Sequence, residues 1–139
     1  MTRTDGLGDR ALLGAGAVVA LVATSGSLYL SEVMGLYPCD LCWYQRILMY
    51  PLVVVLGIAA VERRATIYRT VLPLSVGGVV VSGYHSWLQA TSDGSCSFGG
   101  GCAAIQFRLQ PLGLTVPNLA LTAFVLVTAV AVTCWSRAR

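Results

Sequence analysis

The chain has 139 residues, 56% of them hydrophobic and 11% charged, against about 25% charged in a soluble domain, which excludes a water-soluble globule with a charged shell. Its nine basic residues are all arginine, set against six acidic ones for a formal charge of +3. They are few and gather at the ends of apolar runs, so no basic face for nucleic acid is expected. The apolar excess faces lipid, and the length fits a single integral-membrane domain over residues 1–139.

About 20 predominantly apolar helical residues cross the hydrocarbon core, and four segments meet that length. The first covers residues 11–30 and carries no charge. It follows Arg10 in the manner of a secretory leader. It is longer than an ordinary leader core and lacks a small-residue cleavage pattern, so a retained helix is expected. The second, 43–61, has one charge, Arg46, near its start; the third, 70–88, contains His85; the fourth, 116–135, has no charge. None shows the strict alternation of a membrane strand, and an open sheet edge is forbidden in lipid. The expected fold is all-α, a four-helix transmembrane bundle, with glycines such as Gly16, Gly77 and Gly78 allowing close helix approach.

Orientation follows from the arginines. Arg3 and Arg10 precede the first span, Arg63, Arg64 and Arg69 lie between the second and third, and Arg137 and Arg139 follow the fourth. A four-span path puts all of them on one side, leaving Arg108 and Arg46 for the other. The positive-inside rule then places both termini and loop 62–69 in the cytoplasm, and loops 31–42 and 89–115 outside, in a multi-pass protein of the cell membrane. Within the second outer loop, residues 103–114 mix Ile105, Phe107, Leu109 and Leu112 with polar residues. A short helix lying in the membrane interface is expected there, limited in length by Pro111.

Four of the five cysteines fall on the outer side. Cys39 and Cys42 form a C-x-x-C in the first outer loop, Cys96 and Cys102 flank a glycine-rich stretch in the second, and Cys134 stands alone at the cytoplasmic end of the fourth span. Disulfides persist outside the cytoplasm, whereas cytosolic thiols stay reduced. A structural staple is a weak reading of the first pair, because so short a loop removes little chain entropy, and C-x-x-C is a recurrent redox spacing. Cys42 is placed in the first turn of the second helix, where the helix dipole favours an anion, with Arg46 one turn further along the same face. Both effects favour the reactive thiolate. Arg46 reads in two ways: a functional charge inside the membrane edge, or an anchor snorkelling to the headgroups. A four-thiolate zinc site is the sharpest chemical alternative for the cysteines. The C-x5-C spacing, its glycines and an oxidising compartment weigh against it, and no resident metal is expected.

The run Pro38-Cys39-Asp40-Leu41-Cys42-Trp43-Tyr44-Gln45-Arg46 resembles the P-C-x-L-C-x-x-[QE]-R signature of the DsbB/BdbC disulfide-bond-formation proteins. The likeness extends to four spans, a third helix with Tyr84-His85-Ser86-Trp87-Leu88-Gln89, a second outer cysteine pair, and the segment from Gly113 to Leu121 that opens the last helix. It implies a membrane thiol oxidoreductase that reoxidises an extracytoplasmic, DsbA-like thioredoxin-fold oxidase and passes the electrons to ubiquinone or menaquinone. Carried over, Cys39 and Cys42 are the pair beside the quinone, with Cys42 the cysteine of the thiolate–quinone charge-transfer species and Arg46 the arginine that holds the quinone head. Cys96 and Cys102 are the pair that exchanges with the soluble partner, Cys96 forming the mixed disulfide. Their short spacing departs from the enterobacterial form and is closer to the compact BdbC branch. His85, at the depth of Arg46, is expected either at the quinone site or in a plain interhelical hydrogen bond. Two other readings stay open: a non-enzymatic four-helix scaffold with structural disulfides, and the same fold delivering reducing equivalents outward.

Overall fold

The structure, a computed structural model, describes residues 3–91 and 101–139. Helix α1 (Arg3–Leu28) continues into a single π-helical turn, Tyr29–Val33. It is followed by α2 (Asp40–Glu62), a 3-10 turn at Ala65–Ile67, α3 (Tyr68–Thr91), the two-residue strands β1 (Arg108–Leu109) and β2 (Leu114–Thr115), and α4 (Val116–Arg137). The four helices are long and apolar enough to cross a membrane, as Leu7–Val33, Asp40–Glu62, Tyr68–Thr91 and Val116–Arg137. Each expected span sits inside one of them. The helices overrun the apolar runs by a few residues because their ends are capped by local geometry rather than by loss of hydropathy.

Those ends are legible in the chain. Gly35, at φ +68°, stops the first helix by taking a left-handed conformation that costs glycine little. Cys39, extended at φ −74° and ψ 172°, is the N-cap of α2, and its carbonyl accepts the first helical bond from Trp43 N at 3.1 Å. Arg63 closes α2 in the left-handed region, with Arg64 N donating back to Ala59 O at 3.0 Å. Pro117 stands in the first turn of α4, where a missing N–H leaves no bond unmade.

The helices pack in sequence order around a ring: α1 on α2, α2 on α3, α3 on α4, and α4 back on α1. The core holds Leu13, Leu52, Leu56, Val71, Phe124 and Val127. Small residues set two approaches. A methyl group built at Gly16 would lie 3.2 Å from Val130 Cγ1 and 3.4 Å from Leu56 Cδ1, while one at Gly78 would overlap the Phe124 ring. The first contact joins α1 to α4 and α2; the second joins α3 to α4. Near the termini, Arg137 Nη1 pairs with Asp9 Oδ1 at 3.2 Å.

Residues 103–114 do not form the interfacial helix expected of them. They run through turns and an irregular stretch into an antiparallel pair, Arg108 against Thr115 and Leu109 against Leu114. Gly113, at φ +66°, donates its N–H to Leu109 O at 2.8 Å and closes the hairpin, while Pro111 has no N–H to continue a helix.

Candidate active site

The cap at Cys39 determines where the first cysteine pair stands. With Cys39 as N-cap, Cys42 is the third residue of α2, and its side chain stands among backbone N–H groups that have no helical partner. The two thiols come together, Sγ to Sγ 3.0 Å. Cys39 is 4% exposed. Its thiol pKa is pushed up to about 11, first by its hydrogen bond with Cys42 and then by burial, with His85 and Cys102 pulling the other way.

Cys102 reaches the same place from the second loop. It packs with Cys39 and Leu41 in a small cluster that Cys42, Val81 and Leu88 border. Both members of the first sequence-predicted cysteine pair and one of the second are thus brought into a single site. Cys96, the other member of the second pair, lies outside the described residues. Cys134 is buried at the far end of α4 and takes no part.

His85 connects α3 to both loops. It is 1% exposed, and its ring has a partner on each nitrogen. Nε2 is 3.0 Å from Cys102 O, and Nδ1 is 3.1 Å from Gln45 Nε2. A carbonyl only accepts, so Nε2 carries the proton and donates it, leaving Nδ1 to accept from the Gln45 amide. The same Nε2 lies 3.8 Å from Cys39 Sγ. Gln89, one turn further along α3, donates to Cys102 O and Ala104 O, each at 3.4 Å. These bonds tie the backbone of the Cys102 segment to the membrane helix.

Arg46 takes neither of its expected postures in simple form. Its guanidinium reaches α1, where Nε donates to Ser27 Oγ and Nη2 to Ser27 O, both at 2.9 Å, and its Cζ stands 5.5 Å from the centre of the Trp43 ring. The charge is therefore fixed between two helices, with two of its five donors used there. It still lines one cavity together with Cys42 and His85.

That cavity, about 520 Å³, is walled mainly by apolar side chains of α1 and α4, and Cys39, Cys42, Gln45, Arg46, His85 and Gln89 join its lining. Three buried polar atoms of residues that line it, Thr24 Oγ1, Tyr50 OH and Gln89 Oε1, have no hydrogen-bond partner among the described residues. A ligand with carbonyl oxygens for the two hydroxyls and an apolar body for the walls matches such a lining, whereas Gln89 Oε1, an acceptor, takes a donor. Cys39 Sγ, Cys42 Sγ and a His85 nitrogen also lie within 4.8 Å of one another, close enough to share a cation. Sequence reasoning did not single out Gln45, Ser27, Gln89, Thr24 or Tyr50. Gln45 was visible inside the cysteine motif and Gln89 at the end of the 84–89 run; the others are polar residues in apolar runs, and nothing local distinguishes them.

Comparison with known proteins identifies the family. The model of the family described as disulfide bond formation protein DsbB matches residues 9–134. Disulfide bond formation protein C of Bacillus subtilis is 43% identical over 114 residues, covering 79% of this chain and 82% of the relative. A probable disulfide formation protein of Deinococcus radiodurans is 39% identical over 134 residues, 88% of this chain and 86% of the relative. One from Metapseudomonas resinovorans is 40% identical over 121 residues, 79% of each. No solved structure matches the chain. With its paired thiols, four membrane-length helices and these relatives, the chain belongs to the DsbB family of membrane oxidoreductases that act in disulfide bond formation.

Proposed function

We propose that the protein is a dithiol:quinone oxidoreductase of the cell membrane: it reoxidises an extracytoplasmic thioredoxin-like thiol oxidase and delivers the electrons to ubiquinone or menaquinone. The observation that carries this reading is the convergence of Cys42, Arg46 and His85 on one largely apolar cavity. Its volume of about 520 Å³ suits a small-molecule site. Thr24 Oγ1 and Tyr50 OH are buried donors in residues that line it, and neither has a partner among the described residues. A quinone head offers carbonyl oxygens to such donors and an apolar body to such walls, so the residues fit the group. When bound, it supplies a two-electron acceptor.

The protein's own residues account for the thiol steps. The partner's dithiol attacks the Cys96–Cys102 disulfide and leaves oxidised, with both of its electrons now in that pair. A Cys102 thiolate then attacks Cys39 Sγ. The Cys39–Cys42 bond breaks, Cys42 leaves as a thiolate, and a bond between the loops forms. Cys96 displaces Cys39 from Cys102, restoring the outer disulfide and leaving Cys39 and Cys42 reduced. The packing of Cys102 against Cys39 supports this route. The leaving Cys42 thiolate is stabilised by the N-terminus of α2 and by the Arg46 charge. His85 holds the Cys102 backbone in attacking position and keeps an N–H near Cys39.

The reading is tested with purified protein, added quinone and a reduced thioredoxin-like partner. One quinone should be reduced for each partner disulfide made, and Cys42→Ala should stop quinone reduction in a folded protein. Quinone reduction retained by that variant would take Cys42 out of the electron path, and a wild type that reduced no quinone would leave only a scaffold. The proposed orientation, with both termini cytoplasmic, predicts that after reduction a membrane-impermeant maleimide labels the loop cysteines from outside and spares Cys134; labelling of Cys134 would reverse it.

A further inference from the structure

Among the described residues, Cys39, Cys42 and His85 bring two sulfurs and a ring nitrogen within 4.8 Å of one another. We propose that in its dithiol state this trio is an inhibitory binding site for a thiophilic divalent cation of the zinc class, which caps both sulfurs and blocks their oxidation. The site goes beyond the thiol exchange proposed above and does not depend on quinone.

The geometry is close to what zinc requires. With Zn–S bonds of about 2.3 Å and Zn–N of about 2.0–2.1 Å, a tetrahedron has S–S edges of about 3.8 Å and S–N edges of about 3.5 Å. The thiols stand 3.0 Å apart, and Cys39 Sγ is 3.8 Å from His85 Nε2. In these two pairs the tetrahedron is reached by less than about 1 Å of movement, within the range of a χ1 adjustment, and Cys42 Sγ lies within 4.8 Å of the histidine nitrogen. The fourth position is left to water from the cavity that both cysteines and His85 line.

A ligating histidine nearly always has its second nitrogen held by a hydrogen bond. Here that partner is Gln45, 3.1 Å from Nδ1 and buried with it. For Nε2 to bind a cation, its proton must move to Nδ1 and its bond to Cys102 O must break, which leaves that carbonyl with the Gln89 donor. Gln45 accommodates the change by turning its amide so that Oε1 accepts, since its two ends differ little in shape. The balance is simple: two S–H bonds release two protons to solvent, two metal–sulfur bonds form, and the imidazole stays neutral in its other tautomer. The dication and two thiolates sum to zero charge, which suits a buried site of low dielectric. The disulfide state has no thiolates and does not bind.

The test uses the full chain in lipid nanodiscs, reduced, without quinone, and with Co2+ as the probe. The expected result is the visible d–d absorption of tetrahedral cobalt with thiolate-to-cobalt charge transfer in the near ultraviolet, bleached by Zn2+. Cys134→Ser should keep these bands. The oxidised wild type, which needs no substitution, should give none, and neither should Cys42→Ser. Gln45→Leu, which removes the partner of Nδ1, should weaken the cation by about 10- to 100-fold. Zn2+ should also slow reoxidation of the inner dithiol by diamide, with a chelator restoring the rate. Absence of the bands in reduced wild type, their persistence in the oxidised protein, or Zn2+-independent reoxidation would each overturn the proposal. None of these readouts involves quinone reduction, so loss of that activity and loss of cation binding are distinguishable.

Discussion

At the end of the bundle that carries both termini, α1 and α4 touch through Gly16 and Val130, whereas further along the same two helices part around the cavity that Val18, Val22, Leu119 and Leu126 help to line. The closed end is sealed by apolar packing, with Leu13, Leu56 and Ala131 buried in one cluster. The open end is held by polar bonds: Arg46 to Ser27 across α1 and α2, Gln45 to His85 across α2 and α3, and His85 to the Cys102 carbonyl. Close packing excludes a ligand, while a framework of directed bonds around a gap fixes donors and leaves room for one. Rigidity in this molecule therefore comes from two sources, and each responds to different substitutions.

Removing the cation of the open end should have the largest effect. Arg46→Gln loses a charge contact in a partly desolvated site, worth about 1–3 kcal/mol, or about 5- to 150-fold in a binding or rate constant. The expected outcome is a raised KM for quinone with the fold and the exchange between partner and outer pair intact. A variant that merely unfolds earlier, with unchanged quinone kinetics, would reduce Arg46 to a clamp between α1 and α2.

The closed surface between α3 and α4 should respond in stability. At Gly78 an added methyl overlaps the Phe124 ring, so Gly78→Ala is overpacked and should cost about 1–3 kcal/mol. Thermal unfolding in detergent measures it. If the ring is the obstacle, Gly78→Ala and Phe124→Leu should cost less together than the sum of the two, with a coupling of about 0.5–3 kcal/mol. Strict additivity would mean that the helices separate rather than the ring moves.

How much of this was readable beforehand differs between the two ends. Four spans, and Cys42 in the first turn of α2, follow from the sequence, whereas the cap at Cys39 comes from the structure. The depth of His85 followed from counting along α3, and the structure places it beside Gln45, the neighbour of Arg46. What hydropathy cannot give is the rotation of each helix about its axis, because lipid and core are equally apolar. Leu56 is fully buried and Ile58, two residues on, is 53% exposed, yet the two read alike. For that reason the partners that rotation decides, Ser27 for Arg46 and Gln45 for His85, were missed. The expected interfacial helix at 103–114 failed for a local reason: its mixed pattern gave a period, and Pro111 and Gly113 turned it into a hairpin.

A smaller effect probes the paired thiols. Cys39, with its pKa pushed up to about 11 by the Cys42 hydrogen bond and by burial, is almost wholly protonated at pH 8. Its alkylation in the reduced protein should therefore rise about tenfold per pH unit through the neutral range and level off only near that value. Cys42→Ala removes the larger cause and lowers the pKa toward its ordinary value of 9.0. Each unit of lowering gives tenfold more thiolate but a less nucleophilic one, so the rate at pH 8 should rise about 3- to 12-fold. Mass spectrometry of the Cys39 peptide follows it. An unchanged rate would mean that burial alone holds the proton.

The smallest effect belongs to the termini, where Asp9 and Arg137 pair at 3.2 Å with side chains 20% and 51% exposed. A partly exposed pair of this kind gains little, because water screens the charges and two side chains must be ordered, so Asp9→Asn should cost less than about 1 kcal/mol. Its size separates two accounts of how the closed end is sealed. If apolar packing through Gly16 does the sealing, the variant should show a slightly lower midpoint, still less of an effect in high salt, and unchanged quinone kinetics. A loss of several kcal/mol, or a raised KM for quinone, would instead mean that the ion pair sets the angle between α1 and α4, and that the width of the cavity at the far end is governed by a charge contact at the termini.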